Sequence, residues 1–307
     1  MSKPFLLTLH RWITLIFAFP LLAIIVTGLI LSFEPLVQVN GIGGAPIESA
    51  RIVELVKRYD PDSKARGLSI NAAAHRMTLQ GTGGPVIDLA TGAPAAASSG
   101  LPDLFLWARV THERLLGQAW LVTSSTVAMI ALMVLGIFMG LPRLRNTLSG
   151  WHKGTAWFAL PPIFLSPLTG LCMAFGLTFQ GGAAPAGGGR PLSLPDAIGV
   201  VAASHDLSNV ISIGSRGGRT MARLYEDGEL RAYAVTSSEI APLPRNWPRL
   251  IHEGNWSALI AAPLNVVTSI ALLTLLSTGL LIWARRKLRR RRPRAERRAG
   301  AAVVGAG

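Results

Sequence analysis

Four stretches of this chain, Trp12–Phe33, Ala119–Leu141, Thr155–Phe179 and Ala258–Ala284, stay apolar for about 20 residues or more, enough for a helix to cross a hydrocarbon layer about 30 Å thick. No other feature constrains the fold as strongly, because lipid leaves a chain only helices or closed barrels. The first stretch is longer than the apolar run of a cleaved leader, and Ser32-Phe33-Glu34-Pro35 offers no small-residue cleavage site, so it reads as a retained anchor. Trp12, Trp120, Trp151, Trp256 and Trp283 fall at or near the ends of the spans, where an indole suits the interface. The predicted spans occupy 1–33 (with the N-terminus), 111–142, 155–179 and 252–284. Segments 34–110 and 180–251 lie on one side, and a short link, 143–154, and a tail, 285–307, lie on the other.

Charge sets the orientation. The 307 residues carry 30 Lys and Arg against 16 Asp and Glu, a formal +14, although half of the residues are hydrophobic and only 15% are charged. A pI near 11.3 would suit a nucleic-acid binder, but the mean hydropathy is +0.41 and the excess is confined to span ends. Lys3 and Arg11 precede span one, Arg143, Arg145 and Lys153 lie between spans two and three, and the tail has ten basic residues against Glu296 alone. Counted from Glu34 to Gln118 and from Gln180 to Ser257, the two long segments are balanced, with eight basic and eight acidic residues in the first and seven of each in the second. Basic loops stay inside during insertion, so both termini are expected in the cytoplasm and both long segments in the periplasm of a bacterial inner membrane. The Arg-rich tail suits contact with anionic lipid of the bilayer, and no nucleic acid is implied.

The outer segments read as α+β. In the first, Ile47–Tyr59 suits an amphipathic helix, followed by strands at Met77–Leu79 and Val86–Leu89. In the second, Leu194–Ala203 is helical, with Ser193 as N-cap and Pro195 in its first turn. Strands Arg219–Tyr225 and Leu230–Val235 follow around Glu226-Asp-Gly-Glu229. Gly181–Gly189 reads as a flexible linker.

The chain also aligns with itself. An ungapped offset of 142 residues places His10 on His152, Arg11 on Lys153, Pro20 on Pro162, Thr27-Gly28-Leu29 on Thr169-Gly170-Leu171 and Phe33 on Phe175. His112-Glu113 precedes span two as His252-Glu253 precedes span four, with Gly136 and Gly279 following near the cytoplasmic ends. Each half crosses twice, so the expected architecture is an α-helical integral membrane protein. Its four-helix bundle would come from a tandem 2+2 parallel repeat, with two small α+β periplasmic domains.

Matching positions lie at matching depth, so the histidines form two pairs: His10 with His152 on the inner side, His112 with His252 on the outer. Two such pairs are what two b-type haems with bis-histidine ligation require. Cys172 is the only cysteine, which excludes covalent CxxCH attachment and a thiolate-rich zinc site. The simpler reading of each histidine is an interfacial residue bonded to a backbone carbonyl. Thr27-Gly28 and Thr169-Gly170, about 18 residues (about 27 Å) beyond His10 and His152, are expected to make room for an outer haem. Gly136 and Gly279 would do so for an inner one, although small residues also serve ordinary helix packing. Arg11 and Lys153 are placed to pair with haem propionates, and topology explains them equally. The stretch GGAAPAGGG joins no strand to a helix, so the chain shows no flavin or nicotinamide fingerprint.

The segments LHRWITLIFAFPLLAIIVTGL, THERLLGQAWLV…GLPR and WHKGTAWFALPPIFLSPLTGL resemble the PepSY-associated transmembrane family over nearly the whole chain outside the tail. The outer segments, with their DLATG and YEDGEL turns, are similar to PepSY units. The resemblance implies an inner-membrane haem protein that takes electrons from a cytosolic or quinol donor and reduces a ferric siderophore or chelate in the periplasm. It assigns haem ligation to His10, His152, His112 and His252. The sequence departs from the family at Glu253-Gly254, where more basic versions occur, and at Gly140-Leu-Pro-Arg143, where a tryptophan-rich version occurs. Two other readings compete: a membrane-anchored PepSY binding or regulatory module, and a secondary transporter. The transporter is disfavoured by span interiors without Asp, Glu, Lys or Arg.

Overall fold

The computed structural model describes residues 2–41, 47–72, 74–95, 100–141, 145–180 and 191–304, with the side chains of 41, 216 and 290–304 outside the description. The proposed linker Gly181–Gly189 and Arg143 lie outside the described residues. In chain order the elements are α1 (Lys3–Leu31), α2 (Glu34–Gly41), α3 (Ser49–Tyr59), β1 (Gly67–Asn71), β2 (Arg76–Gln80) and β3 (Val86–Asp88). There follow α4 (Leu101–Glu113), α5 (Ala119–Phe138), α6 (Leu148–Phe158), α7 (Leu160–Ala174) and α8 (Leu194–Ala202). The chain ends with β4 (Val210–Arg216), β5 (Arg219–Glu226), β6 (Glu229–Val235), β7 (Ile240–Pro242), α9 (Trp247–Glu253) and α10 (Ala258–Val304).

Two compact units result: Met1–Leu29 with Arg109–Leu171 and Val266–Gly307, and Ile30–Ala108 with Cys172–Asn265. Among the described residues three helical stretches are each long and apolar enough to span a membrane: Lys3–Asn40, Ala119–Phe138 and Ala258–Arg289. The expected third span, 155–179, is corrected. It begins earlier, at Leu148, ends at Ala174, and consists of two helices bent by 65° between Phe158 and Leu160. Pro161 and Pro162 account for the break: neither has an N–H to continue the ladder, and both are tolerated in the first turn of a new helix. The link predicted at 143–154 is correspondingly shorter, because His152 and Lys153 are already helical.

The membrane unit packs Leu21 and Ile25 of α1, Met129 of α5, Ala159, Ile163 of α7, and Ala271, Leu272 and Leu276 of α10 into one buried cluster. The hydroxyls buried among these helices satisfy themselves on their own backbone: Ser125 Oγ donates to Leu121 O (2.6 Å) and Thr126 Oγ1 to Val122 O (2.8 Å). That arrangement lets small polar residues sit in lipid-facing bundles without an unpaired donor.

In the outer unit the expectation of two separate small domains is replaced by one. The strands form a single antiparallel seven-stranded sheet, β3-β2-β1-β4-β5-β6-β7. Its seam is the β1–β4 pair, in which Leu68 lies opposite Ile213 and Gly67 opposite Gly214. A Cβ on Gly67 would meet Ile213 O at 2.6 Å and one on Gly214 would meet Arg66 O at 2.8 Å, so the close backbone approach needs glycine on both strands. Helices α3 and α8 cover one face of this sheet. Ile52, Leu55, Val56, Ala197, Ile198 and Val201 pack on Leu68, Met77, Ile87, Ile213 and Leu224 in one core.

The two helices expected in the long segments, now α3 and α8, and the β2, β3, β5 and β6 strands appear within a residue or two of their expected ends, whereas α1 begins at Lys3 and α10 runs on to Val304, well beyond the expected spans. Ser193 caps α8 by accepting from Asp196 N, and Asp227 (φ 51°) and Gly228 (φ 78°) make the tight β5–β6 turn. Strands β1, β4 and β7 and helices α2, α4 and α9 were not anticipated.

Candidate functional site

Within the membrane unit, Thr147 caps α6 by accepting from Gly150 N (3.1 Å), and a side chain at Gly150 would strike the Arg145 backbone. This tight start places His152 a turn inside α6. Its ring centroid lies 6.5 Å from that of His10 on α1, with the two ring planes nearly perpendicular at 88°. Nδ1 of His152 is 2.8 Å from Thr278 Oγ1, and that hydroxyl spends its own hydrogen on Thr274 O (2.6 Å). The imidazole must therefore donate from Nδ1, which leaves Nε2 bare as an acceptor or ligand. A Cβ on Gly279, next along α10, would lie 3.5 Å from His152 Cε1. By contrast, Nδ1 of His10 is buried without a hydrogen bond of ordinary geometry.

Both rings face a cavity of about 1610 Å³ that is also lined by Gly136 and Gly279 and, at exposed positions, by Arg11 and Lys153. Lys3, Arg145, Arg286 and Lys287 line it as well, and no Asp or Glu is among the lining residues.

His112, near the end of α4, is seated against α1. Its Nδ1 is 3.1 Å from Ile24 O and 3.1 Å from Thr27 Oγ1. A carbonyl can only accept, so Nδ1 again carries the proton, and Thr27 directs its own hydrogen to Ala23 O (2.7 Å). Gly28 lets the ring approach: a Cβ there would sit 3.2 Å from His112 Cε1. The role expected for Thr27-Gly28, room for a cofactor, is thus sharpened into seating a histidine. Thr169 is buried in α7 with its hydroxyl on Leu165 O and Ser166 O (2.9 and 2.8 Å), and Gly170 follows it.

His252 belongs to the outer unit, at the end of α9. That helix is capped by Asn246, which accepts from Arg249 N (3.2 Å), and is stopped by Gly254 at φ 75°. Asn265 Nδ2 donates to His252 O (3.0 Å), tying the turn to the start of α10. Glu253, the departure from more basic versions of this motif, pairs with Arg249 (3.3 Å) and accepts from Asn255 Nδ2 (2.9 Å). Glu113 lies 4.0 Å from Arg109 in the same i, i+4 relation. The sequence carries this as Arg109-Val-Thr-His-Glu113 and Arg249-Leu-Ile-His-Glu253, a five-residue signal longer than the His-Glu pair alone. Thr278 was also missed. It stands in the third of three Thr-Gly pairs found inside the apolar spans, with Thr27-Gly28 and Thr169-Gly170.

The other two histidines serve the outer unit. His75 occupies a left-handed turn (φ 50°) between β1 and β2. His205 Nε2 is 3.1 Å from Glu226 Oε1, and its ring lies edge-on to Tyr233. Tyr233 OH donates to the same carboxylate, and Arg231 reaches both Glu226 and Glu229. Hydrogen bonding from Arg245, then its charge and that of Arg231, holds the Glu229 carboxyl below the usual range against some opposing burial. Burial and then Glu226 push the Tyr233 phenol up. Among the described residues no three His, Cys, Asp or Glu side chains are grouped to hold a bare metal ion.

Apolar helices carrying inward-facing histidines, with a strand-rich antiparallel outer unit, define a helical membrane protein. The sequence model of the PepSY-associated TM region matches residues 7–286, and the chain belongs to that family. No curated protein matches it.

Proposed function

We propose that this protein carries electrons across a bacterial inner membrane through two b-type haems and reduces a ferric siderophore or related ferric chelate in the periplasm. The observation that carries the reading is the His10–His152 pair. His10 and His152 would hold the metal of a haem between their two rings. The measured separation is 6.5 Å, in a cavity larger than the roughly 300–1,000 Å³ of an ordinary small-ligand site. The Nδ1 donation of His152 to Thr278 and of His112 to Ile24 O, the buried Nδ1 of His10, and Gly28, where a Cβ would crowd the His112 ring, all suit a non-covalent macrocycle.

In this reading His10 and His152 hold the inner haem, and Arg11 and Lys153 neutralise its propionates at the cationic mouth of the cavity. The matching positions of His112 and His252 in the internal alignment of the sequence and their shared Arg-x-x-His-Glu pattern support these two as the residues that would hold the outer one. When bound, the haems supply one-electron exchange between ferric and ferrous iron. The chain's own part is to fix each imidazole by its Nδ1–H, to exclude water with the apolar bundle, and to keep charge off the path. The donor is a separate cytosolic molecule or a quinol, because the chain has no dinucleotide loop. The basic inner segments and balanced outer ones support outward flow. A ferric chelate reduced at the outer surface loses its iron because hard oxygen ligands hold the less charged ferrous ion poorly.

The test is a reduced-minus-oxidised spectrum of the purified full-length protein. Sharp α-bands of two low-spin b-haems, bleached by a ferric chelate, are expected. A colourless protein after expression with added haem would leave the membrane-anchored binding module as the better reading.

A further inference from the structure

We propose that the two ligands of the inner pair are held unequally. Thr278 is a positioning residue that locks His152, and His10 is the exchangeable ligand, so the inner haem takes a small neutral molecule such as carbon monoxide where His10 leaves. This rests on the haem reading above.

The asymmetry is visible in two matching stretches, Leu132-Met-Val-Leu-Gly136 on α5 and Leu275-Leu-Ser-Thr-Gly279 on α10. The backbone of Leu132 acts on His10 as that of Leu275 acts on His152, and the same spacing separates Gly136 from Gly279. Between them, Thr278 supplies an oxygen to His152 at 2.8 Å, and its counterpart is Leu135, which has none to give. The buried Nδ1 of His10 is accordingly the one without an ordinary hydrogen bond. The glycines differ too. Gly279 lies against the His152 ring, whereas a Cβ on Gly136 would meet nothing within 4 Å.

A ligating imidazole that donates its other N–H to an oxygen is fixed in tautomer and orientation and is the more basic ligand. Losing that partner typically costs 10–100-fold in metal affinity. His152, with Thr278 beside the Leu275 backbone, therefore stays bound, while His10, with the Leu132 backbone alone, has the weaker bond. Thr278 pays no hydrogen-bond penalty for this service, because Thr274 O takes its proton.

The experiment titrates dithionite-reduced, full-length protein of measured haem content with carbon monoxide and follows the absorption spectrum. In the wild type one haem of the two should convert to an adduct while the other keeps its low-spin bands. Leu135→Thr should weaken carbon monoxide binding by about 10–100-fold. Thr278→Val should broaden the low-spin signal of the inner haem, and Thr278→Ser should restore it. Two haems of which neither binds carbon monoxide, or a Leu135→Thr variant that binds as the wild type does, would overturn the proposal while leaving the haem reading intact. Absence of haem from the purified protein would overturn both.

Discussion

At the scale of single residues, the histidines differ in what their Nδ1 atoms do. Those of His112 and His152 donate to oxygen acceptors, Ile24 O and Thr278 Oγ1, whereas that of His10 is buried without an ordinary hydrogen bond. Replacing His10 or His152 by Ala should remove the inner haem signal and leave the outer one, and His112→Ala should do the reverse. His75→Ala and His205→Ala should change neither, as measured by haem content per protein. The glycines give a sharper contrast. Gly28→Ala presses a methyl on the His112 ring and should shift or weaken the outer signal, whereas Gly136→Ala puts a methyl into the cavity proposed for the inner haem and should shift or weaken the inner one. Glu229 gives a pH dependence. Its folded pKa is depressed by Arg245 and Arg231, so its contribution to stability is complete above the ordinary glutamate value of about 4.3 and is lost as pH falls through the folded value. The thermal midpoint of the outer unit should drop on acidification below about pH 4.3, and Glu229→Gln should flatten that part of the profile.

At the scale of elements, the β1–β4 seam and the α6–α7 bend show how local chemistry becomes architecture. The seam joins strands about 140 residues apart through two glycines whose backbones nearly touch the neighbouring strand. Gly214→Val has no room there and should destabilise the outer unit by about 1–3 kcal/mol, read as a lower melting temperature by circular dichroism of the detergent-purified protein. Strand β1 was not legible in the sequence because Gly67-Leu-Ser-Ile-Asn71 is short and glycine-led, and what makes it a strand is its partner in a distant segment. The β5–β6 hairpin was legible because Glu226-Asp-Gly-Glu229 carries its own turn. The bend was half legible: Pro161 and Pro162 announce a break, but its size depends on how the two legs pack.

At the scale of the whole molecule, the charge distribution supports the proposed orientation, and packing brings His10 to His152. A cysteine placed at Ser238, in the exposed turn after β6, should react with an impermeant thiol reagent in intact cells. One placed at Asn146, before α6, should react only after permeabilisation, and the opposite pattern would reverse the proposed electron flow. The sequence by itself determined that the chain spans a membrane, because apolar length is a property of contiguous residues and needs no partner. It also carried the match of His10 to His152, which the fold brings together, because the internal offset is written in the order of residues. Tertiary structure alone decided that the outer segments share one sheet, since strand pairing reaches across the chain. It alone decided that Thr278, and not the equally self-bonded Thr274 one turn earlier, meets a histidine: a helix face acquires its meaning only from the side chain packed against it.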